Sequence, residues 1–561
     1  MSTEPSTNNR PPLFGGDRLA TIVSILMALV LVQIAVITYW FTLADDSNGD
    51  AGRDAQIYAL QGLGRRTIGS LRAGYDQAGA YNRWIELNTL ARSAEQKGDV
   101  EGAQRLRAAR DRVAKLSPAL QPPYFDSSKD IAPRLAAYEA ETYIRESTAL
   151  AERFANQYRL KVQWSDKASS YTVQLTLLAV ALFMFGVIAN SQRRVRILFF
   201  GIGLGLTLIV FGWMLLTYLR PVTALPDAAI EAYARGAAAL YQNDAQQALK
   251  EYDTALSLAP TYVNAYRDRA YAKYISGDAA GAANDLMLAR ANGDSSSDVV
   301  SSLGFLYYTL GRFNDANALN KEGLTDSNEI WVRFNYALGL LASGEIENAR
   351  AEYDVALKQA AQQVEAIRAQ GKEVSPVLWF QFDDGAKDLQ ALLVCASQQS
   401  CTGSPPYSAL KNPDEIARVA QELITTLKEN SVALEYTSKP PAGSANVTIE
   451  PFQFSRQLTE EAQPIQATDT FTATDEPIYM AVRFQGFRDG QQIVIKLYVD
   501  GYEDDRLRVV DEYSSVEMGG ADGDITLPIT TGGVPLTPGN YQVEMYVDSR
   551  LVQRGNFRVV Q

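Results

Sequence analysis

The sequence predicts a multidomain α + β chain: three transmembrane helices with a helical stalk, an α-solenoid of repeats, and a C-terminal antiparallel β-sandwich. Three observations carry that class. Residues 19–44, 168–192 and 197–219 hold no charge and are apolar over the length a membrane-crossing helix requires. Between 229 and 362 small residues recur with a period of 34. Beyond 447 apolar and polar residues alternate in short runs separated by Gly, Pro, Asn and Asp. A chain of 561 residues has length for all three parts.

Composition narrows the chemistry. There are 65 acidic and 52 basic side chains, a formal net charge of −13, and no histidine. Without imidazole the usual general base, the commonest metal ligand and every Ser-His or Cys-His nucleophile are missing. Cys395 and Cys401 are the only cysteines, too few for structural zinc or an iron–sulfur cluster. The chain is therefore expected not to be an enzyme and to use no cofactor and no metal. Its acidic balance and lack of Lys/Arg blocks give the further expectation that it binds no nucleic acid.

Taken in order, residues 1–18 form an N-terminal tail and residues 19–44 the first span. A signal peptide would have a shorter apolar stretch and a small-residue cleavage site; Asp45-Asp46-Ser47-Asn48 offers none, so the span is read as an uncleaved anchor. The second span (168–192) and third (197–219) are joined by a loop at 193–196. With Arg193, Arg194 and Arg196 this loop belongs on the cytoplasmic side, and the N-terminus with it. Residues 45–167 and everything after 219 then share the extracytoplasmic compartment of a multi-pass cell-membrane protein in contact with the lipid bilayer. Gly201, Gly203 and Gly205 follow no strand and are flanked by Leu, Ile and Phe, so they are a small-residue packing face and not a nucleotide loop. A homo-oligomer through Gly201 and Gly205 is one use of that face.

The stalk, residues 45–167, begins with Ile57, Leu60, Leu63, Leu71, Ala78, Tyr81, Trp84, Leu87 and Leu90 at helical steps. Gly98-Asp99 breaks this helix, a second runs to about Ser117, and a Pro-rich loop precedes a third from about Ala132 into the second span. The layout loosely resembles the extracytoplasmic four-helix sensor modules of chemoreceptors, in architecture and without a shared motif. A spacer bundle that positions the later domains is the favoured reading.

The repeats align as Gly236, Ala248, Ala255; Ala270, Ala282, Ala289; Gly304, Ala316, Gly323; and Ala337, Ala349, Ala356. Leu303-Gly304-Phe305-Leu306-Tyr307 carries an L-G-x-x-Y pattern, and Gly277, Gly311 and Gly344 stand between paired helices. On these residues the segment resembles the tetratricopeptide (TPR) family, with four units over 229–362. Trp is absent from its usual position, held here by Ala232, Tyr266, Val300 and Arg333. The resemblance implies that the first helix of each unit lines a concave groove. The matching residues are Tyr233, Asn264, Arg267, Tyr271, Tyr274, Phe305, Tyr308, Trp331, Phe334 and Leu338, an aromatic face suited to a protein or peptide partner.

Residues 363–436 form a helical cap and linker region. Cys395 and Cys401 lie six apart at a helix end, and outside the cytoplasm they are expected to form a disulfide. Ser408-Ala409-Leu410-Lys411 has the spacing of a serine–lysine nucleophile, but Asn412-Pro413 begins a new element and partner motifs are missing, so it is set aside. Residues 437–446 are a linker. The domain at 447–561 alternates through Ile493, Ile495, Leu497 and Val499, and again through Tyr541, Val543, Met545 and Val547. Its end, Pro-Gly-Asn-Tyr-Gln-Val-Glu-Met-Tyr-Val-Asp, resembles the last hairpin of bacterial immunoglobulin-like or fibronectin-like domains. Glu503-Asp504-Asp505 with Asp522 and Asp524 follows no EF-hand spacing and is read as solvated hairpin tips, not as a calcium site.

The function expected is a membrane-anchored extracytoplasmic scaffold or binding protein of the cell envelope, whose repeat groove and β-sandwich recruit a protein or polymer. The alternative is a transmembrane sensor whose stalk signals to a cytoplasmic partner.

Overall fold

The structure, a computed structural model, describes residues 16–126, 133–188, 192–327, 329–436, 447–473, 475, 477–518, 522–529 and 536–560. The expected linker at 437–446 and most of the N-terminal tail lie outside them. The chain divides into two compact units, Met1–Ala73 with Ala136–Pro260, and Gly74–Leu135 with Thr261–Gln561.

The helices follow in order. Helix α1 (Gly16–Gly74) is unbroken, a wider turn spans Tyr75–Tyr81, and α2 (Asn82–Gln96) and α3 (Val100–Ala114) pair across a turn at Gly98. After α4 (Leu135–Glu139) and a second wide turn at Ala140–Ile144 come α5 (Arg145–Val187) and α6 (Arg193–Leu219). Antiparallel pairs then succeed one another: α7 (Asp227–Tyr241) with α8 (Ala245–Leu258), α9 (Val263–Ile275) with α10 (Ala279–Ala291), α11 (Ser297–Thr309) with α12 (Phe313–Asp326), and α13 (Ile330–Ala342) with α14 (Ile346–Ala369). Helices α15 (Pro376–Gln398) and α16 (Pro413–Tyr436) complete the helical part.

In the first unit, three helices are long and apolar enough to cross a membrane. They pack along stripes with a seven-residue step, Val23, Val30, Ile37 and Ala44 on α1 and Tyr171, Leu178 and Phe185 on α5, the spacing that keeps one seam facing a neighbour. Leu31, Val32, Ile209 and Leu216 are exposed. Of the four glycines in α6, Gly203 is the one that permits close packing: a Cβ there would lie 2.8 Å from the Phe185 ring, whereas at Gly201, Gly205 and Gly212 it would meet nothing within 4 Å. The Arg193–Arg196 segment, expected as a loop, is the first turn of α6, because Gln192 is extended and the helix starts directly after it.

The first helical pair also belongs to this unit. Arg153 on α5 holds Asp227 and Glu231 on α7, each at 2.7 Å, and the Asn156 amide brackets the Leu225 backbone, accepting at 2.9 Å and donating at 3.3 Å. These bonds join α7 to α5, and the boundary between the two compact units falls after Pro260.

In the second unit the helical pairs interlock through small residues. A Cβ on Gly304 would stand 2.4 Å from the Asn320 side chain, and one on Gly323 2.4 Å from Ser301 Oγ. Gly277 and Gly344 turn the chain between paired helices at φ +87° and +84°, a region that costs other residues strain. Helices α15 and α16 pack on each other and continue the core of the pairs through Phe382, Leu389, Ile416 and Leu427.

The strands are β1 (Thr448–Ile449), β2 (Gln453–Ser455), β3 (Gln457–Leu458), β4 (Pro464–Ile465), β5 (Thr470–Thr472), β6 (Ile478–Gln485), β7 (Gln492–Val499), β8 (Tyr502–Glu512), β9 (Gly523–Ile529), β10 (Gly539–Val547) and β11 (Arg550–Val560). One sheet has the order β5-β11-β10-β7-β8, and a second joins β1, β2 and β9 to β6. The pairing is antiparallel except that β5 lies parallel to β11, so the region is mixed and not purely antiparallel. Phe454, Met480 and Phe484 from one sheet and Ile495, Val543 and Phe557 from the other share a core.

Alternation along β7 does not mean one wet face. Val494, Lys496 and Tyr498 are as buried as Ile493, Ile495 and Leu497. Helix α16 covers that second face: Val432 packs with Val494 and Tyr546, and Lys496 Nζ reaches Glu435 at 2.8 Å and Glu503 at 2.6 Å. Close by, the buried Glu544 carboxylate takes Lys428 at 2.7 Å and Arg554 at 2.8 Å.

Candidate functional site

A groove of about 810 Å³ opens in the second unit, walled by α9, α11, α13 and α15 and closed at one end by Tyr502 at the start of β8. Each helix contributes through its register. Arg267, Tyr271 and Tyr274 lie on one face of α9, Phe305 on α11, Trp331 on α13, and Phe380, Asp384 and Asp388 at four-residue steps on α15. Tyr274 and Phe305 meet edge to face with ring centroids 5.9 Å apart. Gly385 brings α15 close to α13, since a Cβ there would stand 2.9 Å from the Phe334 ring.

The sheet region supplies the end wall. The Tyr502 ring stacks on Phe380 at 5.0 Å with planes 5° apart, and its hydroxyl donates to Asp384 Oδ1 at 2.8 Å. Lys387 Nζ sits over that ring, 4.1 Å from its centroid. The Glu503 backbone N–H donates to Asp383 at 3.3 Å.

Three carboxyls on α15 are displaced upward. Burial brings Asp388 to about 7, with Asp384 adding its repulsion and Lys387 opposing it. Burial likewise brings Asp383 to about 7 against the Glu503 hydrogen bond and the Lys496 charge. Asp384 is also raised by burial, with the Tyr502 hydroxyl and Lys387 pulling it down. Tyr274 is pushed up to about 12, first by burial and then by the charge on Asp388.

The expected groove residues divide. Arg267, Tyr271, Tyr274, Phe305 and Trp331 line the groove, and Phe334 touches it while its ring is buried between Tyr353 and Phe382. Tyr308 and Leu338 are core, because one helical step turns them from the groove towards the helices behind. Tyr233 is also core, in the first unit, with its ring 5.6 Å from Tyr252. Asn264 stands one turn before the lining residues of α9 and is not among them.

Sequence reasoning misses Phe380, Asp384, Asp388 and Tyr502. A usable signal exists for the aspartates: like charges four apart on an otherwise apolar helix oppose helix formation, and such local conflict marks a site under another constraint. Tyr502 carries none, since only the packing of the sheets on α15 brings it there.

Elsewhere, Cys395 and Cys401 are joined by a disulfide. Ser408 sits in a single turn at Tyr407–Ala409 and not at the head of a longer helix. Glu503 is taken up by Lys496 and Arg508, and Asp524 by Arg483. Among the described residues no three acidic or cysteine side chains gather as a metal site.

No protein-family model matches the sequence, and no curated protein matches it. Solved structures do match, and one is the Pseudomonas fluorescens alkylpurine DNA glycosylase bound to DNA containing an abasic site analog, at 12% identity over 69% of this chain and 97% of that one, with a TM-score of 0.20. At that TM-score the likeness carries no argument for an activity here. It is nevertheless a DNA-bound enzyme, and with it two expectations stand corrected, that the chain is not an enzyme and that it binds no nucleic acid; neither is kept. The first fails physically because lack of histidine does not remove groups that titrate near neutrality, as Asp383 and Asp388 do. The second rests on whole-chain charge, which does not describe any single face.

Proposed function

We propose that the chain is a membrane-anchored extracytoplasmic binding protein, in which a tetratricopeptide-type helical array and a β-sandwich together hold a segment of a partner protein. One observation carries the reading: rings from three successive first helices, Tyr271 and Tyr274, Phe305, and Trp331, converge on one open groove. Rings serving only as core would lie between helices, and Tyr271 is 59% exposed. Aromatic anchors of this kind dominate binding energy at interfaces. In a pull-down from solubilised membranes, Tyr274→Ala with Phe305→Ala is expected to weaken partner capture by about 2 kcal/mol or more, with the helical circular-dichroism signal retained. Equal capture per folded molecule would remove the groove from the reading.

Sidedness is read from Arg193, Arg194 and Arg196 at the start of α6, whose positive charge favours the cytoplasmic side for the connection between the second and third spans. The Cys395–Cys401 disulfide agrees with an oxidising compartment for the C-terminal part. Protease added to intact spheroplasts is therefore expected to remove the C-terminal domains. Their survival until the membrane is opened would invert the orientation.

A further inference from the structure

Resting on that reading of the groove, we infer that the segment it receives is basic, an extended stretch of a partner protein that seats a lysine or arginine between the aromatic walls and the Asp384–Asp388 face of α15. Charge complementarity argues for it. Asp268, Asp298, Asp384 and Asp388 line the groove, against Arg267 and Lys387. Both cations are already engaged, Arg267 with Asp294 at 3.6 Å and Lys387 on the Tyr502 ring. Among the described residues Asp388 has no hydrogen-bond partner, and its nearest charged neighbours are Asp384, which repels it, and Lys387. A cation between Asp384 and Asp388 turns that repulsion into attraction and restores solvation that burial has taken away.

The walls suit the rest of such a side chain. The stem of lysine or arginine is apolar and packs along rings while its head reaches a polar group, and a ring face itself attracts the cation. Tyr274, Phe305 and Trp331 from α9, α11 and α13, and Phe380 and Tyr502 from α15 and β8, provide the rings. A purely apolar segment would bury the carboxylates without a counter-charge, and an acidic one would add to the repulsion.

The test pans a pool of random nonapeptides on the full-length chain in detergent micelles and sequences what is retained. Three proteins are compared: the native chain, Tyr274→Ala with Phe305→Ala, and Asp384→Asn with Asp388→Asn. The native chain is expected to enrich lysine and arginine in the retained peptides, and the doubly neutral variant to lose that enrichment by about tenfold while still retaining apolar peptides. The Asn variant removes buried charge and keeps side-chain shape, so it folds. Retention of neutral peptides by the native chain, without basic enrichment, overturns the inference and leaves the groove as a binding site. Failure of the native chain to retain any peptide above the Tyr274/Phe305 variant overturns both.

Discussion

Replacing Lys496 with methionine is expected to lower the stability of the C-terminal sheets by about 3–5 kcal/mol. Lys496 lies on β7, 2% exposed, with Glu435 of α16 at 2.8 Å and Glu503 of β8 at 2.6 Å. Burial alone would lower its ammonium, but the charges and hydrogen bonds of Glu503 and Glu435 carry it above its ordinary value. Methionine keeps the length and removes the charge, leaving Glu435 without its ammonium partner and Glu503 with Arg508 in place of two cations. Because the folded value is raised, the contribution is fully present below the unfolded value of 10.5 and is lost only as pH rises above it. Urea unfolding followed through Trp379 on α15 measures the loss, and adding Glu435→Gln and Glu503→Gln to the variant is expected to restore most of it. A loss under about 1 kcal/mol would mean that water already screens the cluster.

Asp388→Asn is expected to act in the opposite sense and to stabilise the chain at pH 8 by about 2–4 kcal/mol. The folded carboxyl titrates at about 7 and the unfolded one at 3.8, so between those values the folded state holds the proton that the unfolded state has released. Stability from this group is thus greatest below pH 3.8, declines as pH climbs to about 7, and is flat beyond. Asp384 and Lys387 on α15, Tyr274 on α9, Tyr308 on α11, Tyr353 on α14 and Tyr502 on β8 are the ionisable groups that share its field. Asparagine cannot ionise, so the variant and the native chain are expected to converge near pH 4 and diverge towards pH 8. Parallel denaturation curves at both pH values would show that Asp388 is solvated. If the groove binds a basic segment as proposed, the stabilisation would come at the expense of the negative charge offered to it.

What the sequence makes legible is what depends on near neighbours. The apolar runs around residues 19–44, 168–192 and 197–219 appear in the three long apolar helices because length and composition alone determine that property. The 34-residue spacing coincides with successive helical pairs, in which Gly236 meets Tyr252 and Gly304 meets Asn320 across their own pair. The α15 wall of the groove escapes such reading, because Asp384, Asp388 and Phe380 acquire their meaning from α9, more than a hundred positions earlier. Tyr308 and Leu338 share residue type with true lining residues and differ only in the direction a single helical step gives them. The second face of β7 is missed for a related reason: Lys496 and Tyr498 look like solvent-side residues until α16 is laid across them.

Tyr502 belongs to a strand, yet it is bonded to Asp384 and stacked on Phe380 inside the helical groove. A molecule that touched this ring and the α9 rings at once would therefore contact the sheets and the helices together. By thermodynamic reciprocity, the factor by which the seated β domain tightens the ligand is the factor by which the ligand tightens the seat. Occupation of the groove and the seating of the sheets on α15 would then be one linked equilibrium, open to measurement from either side.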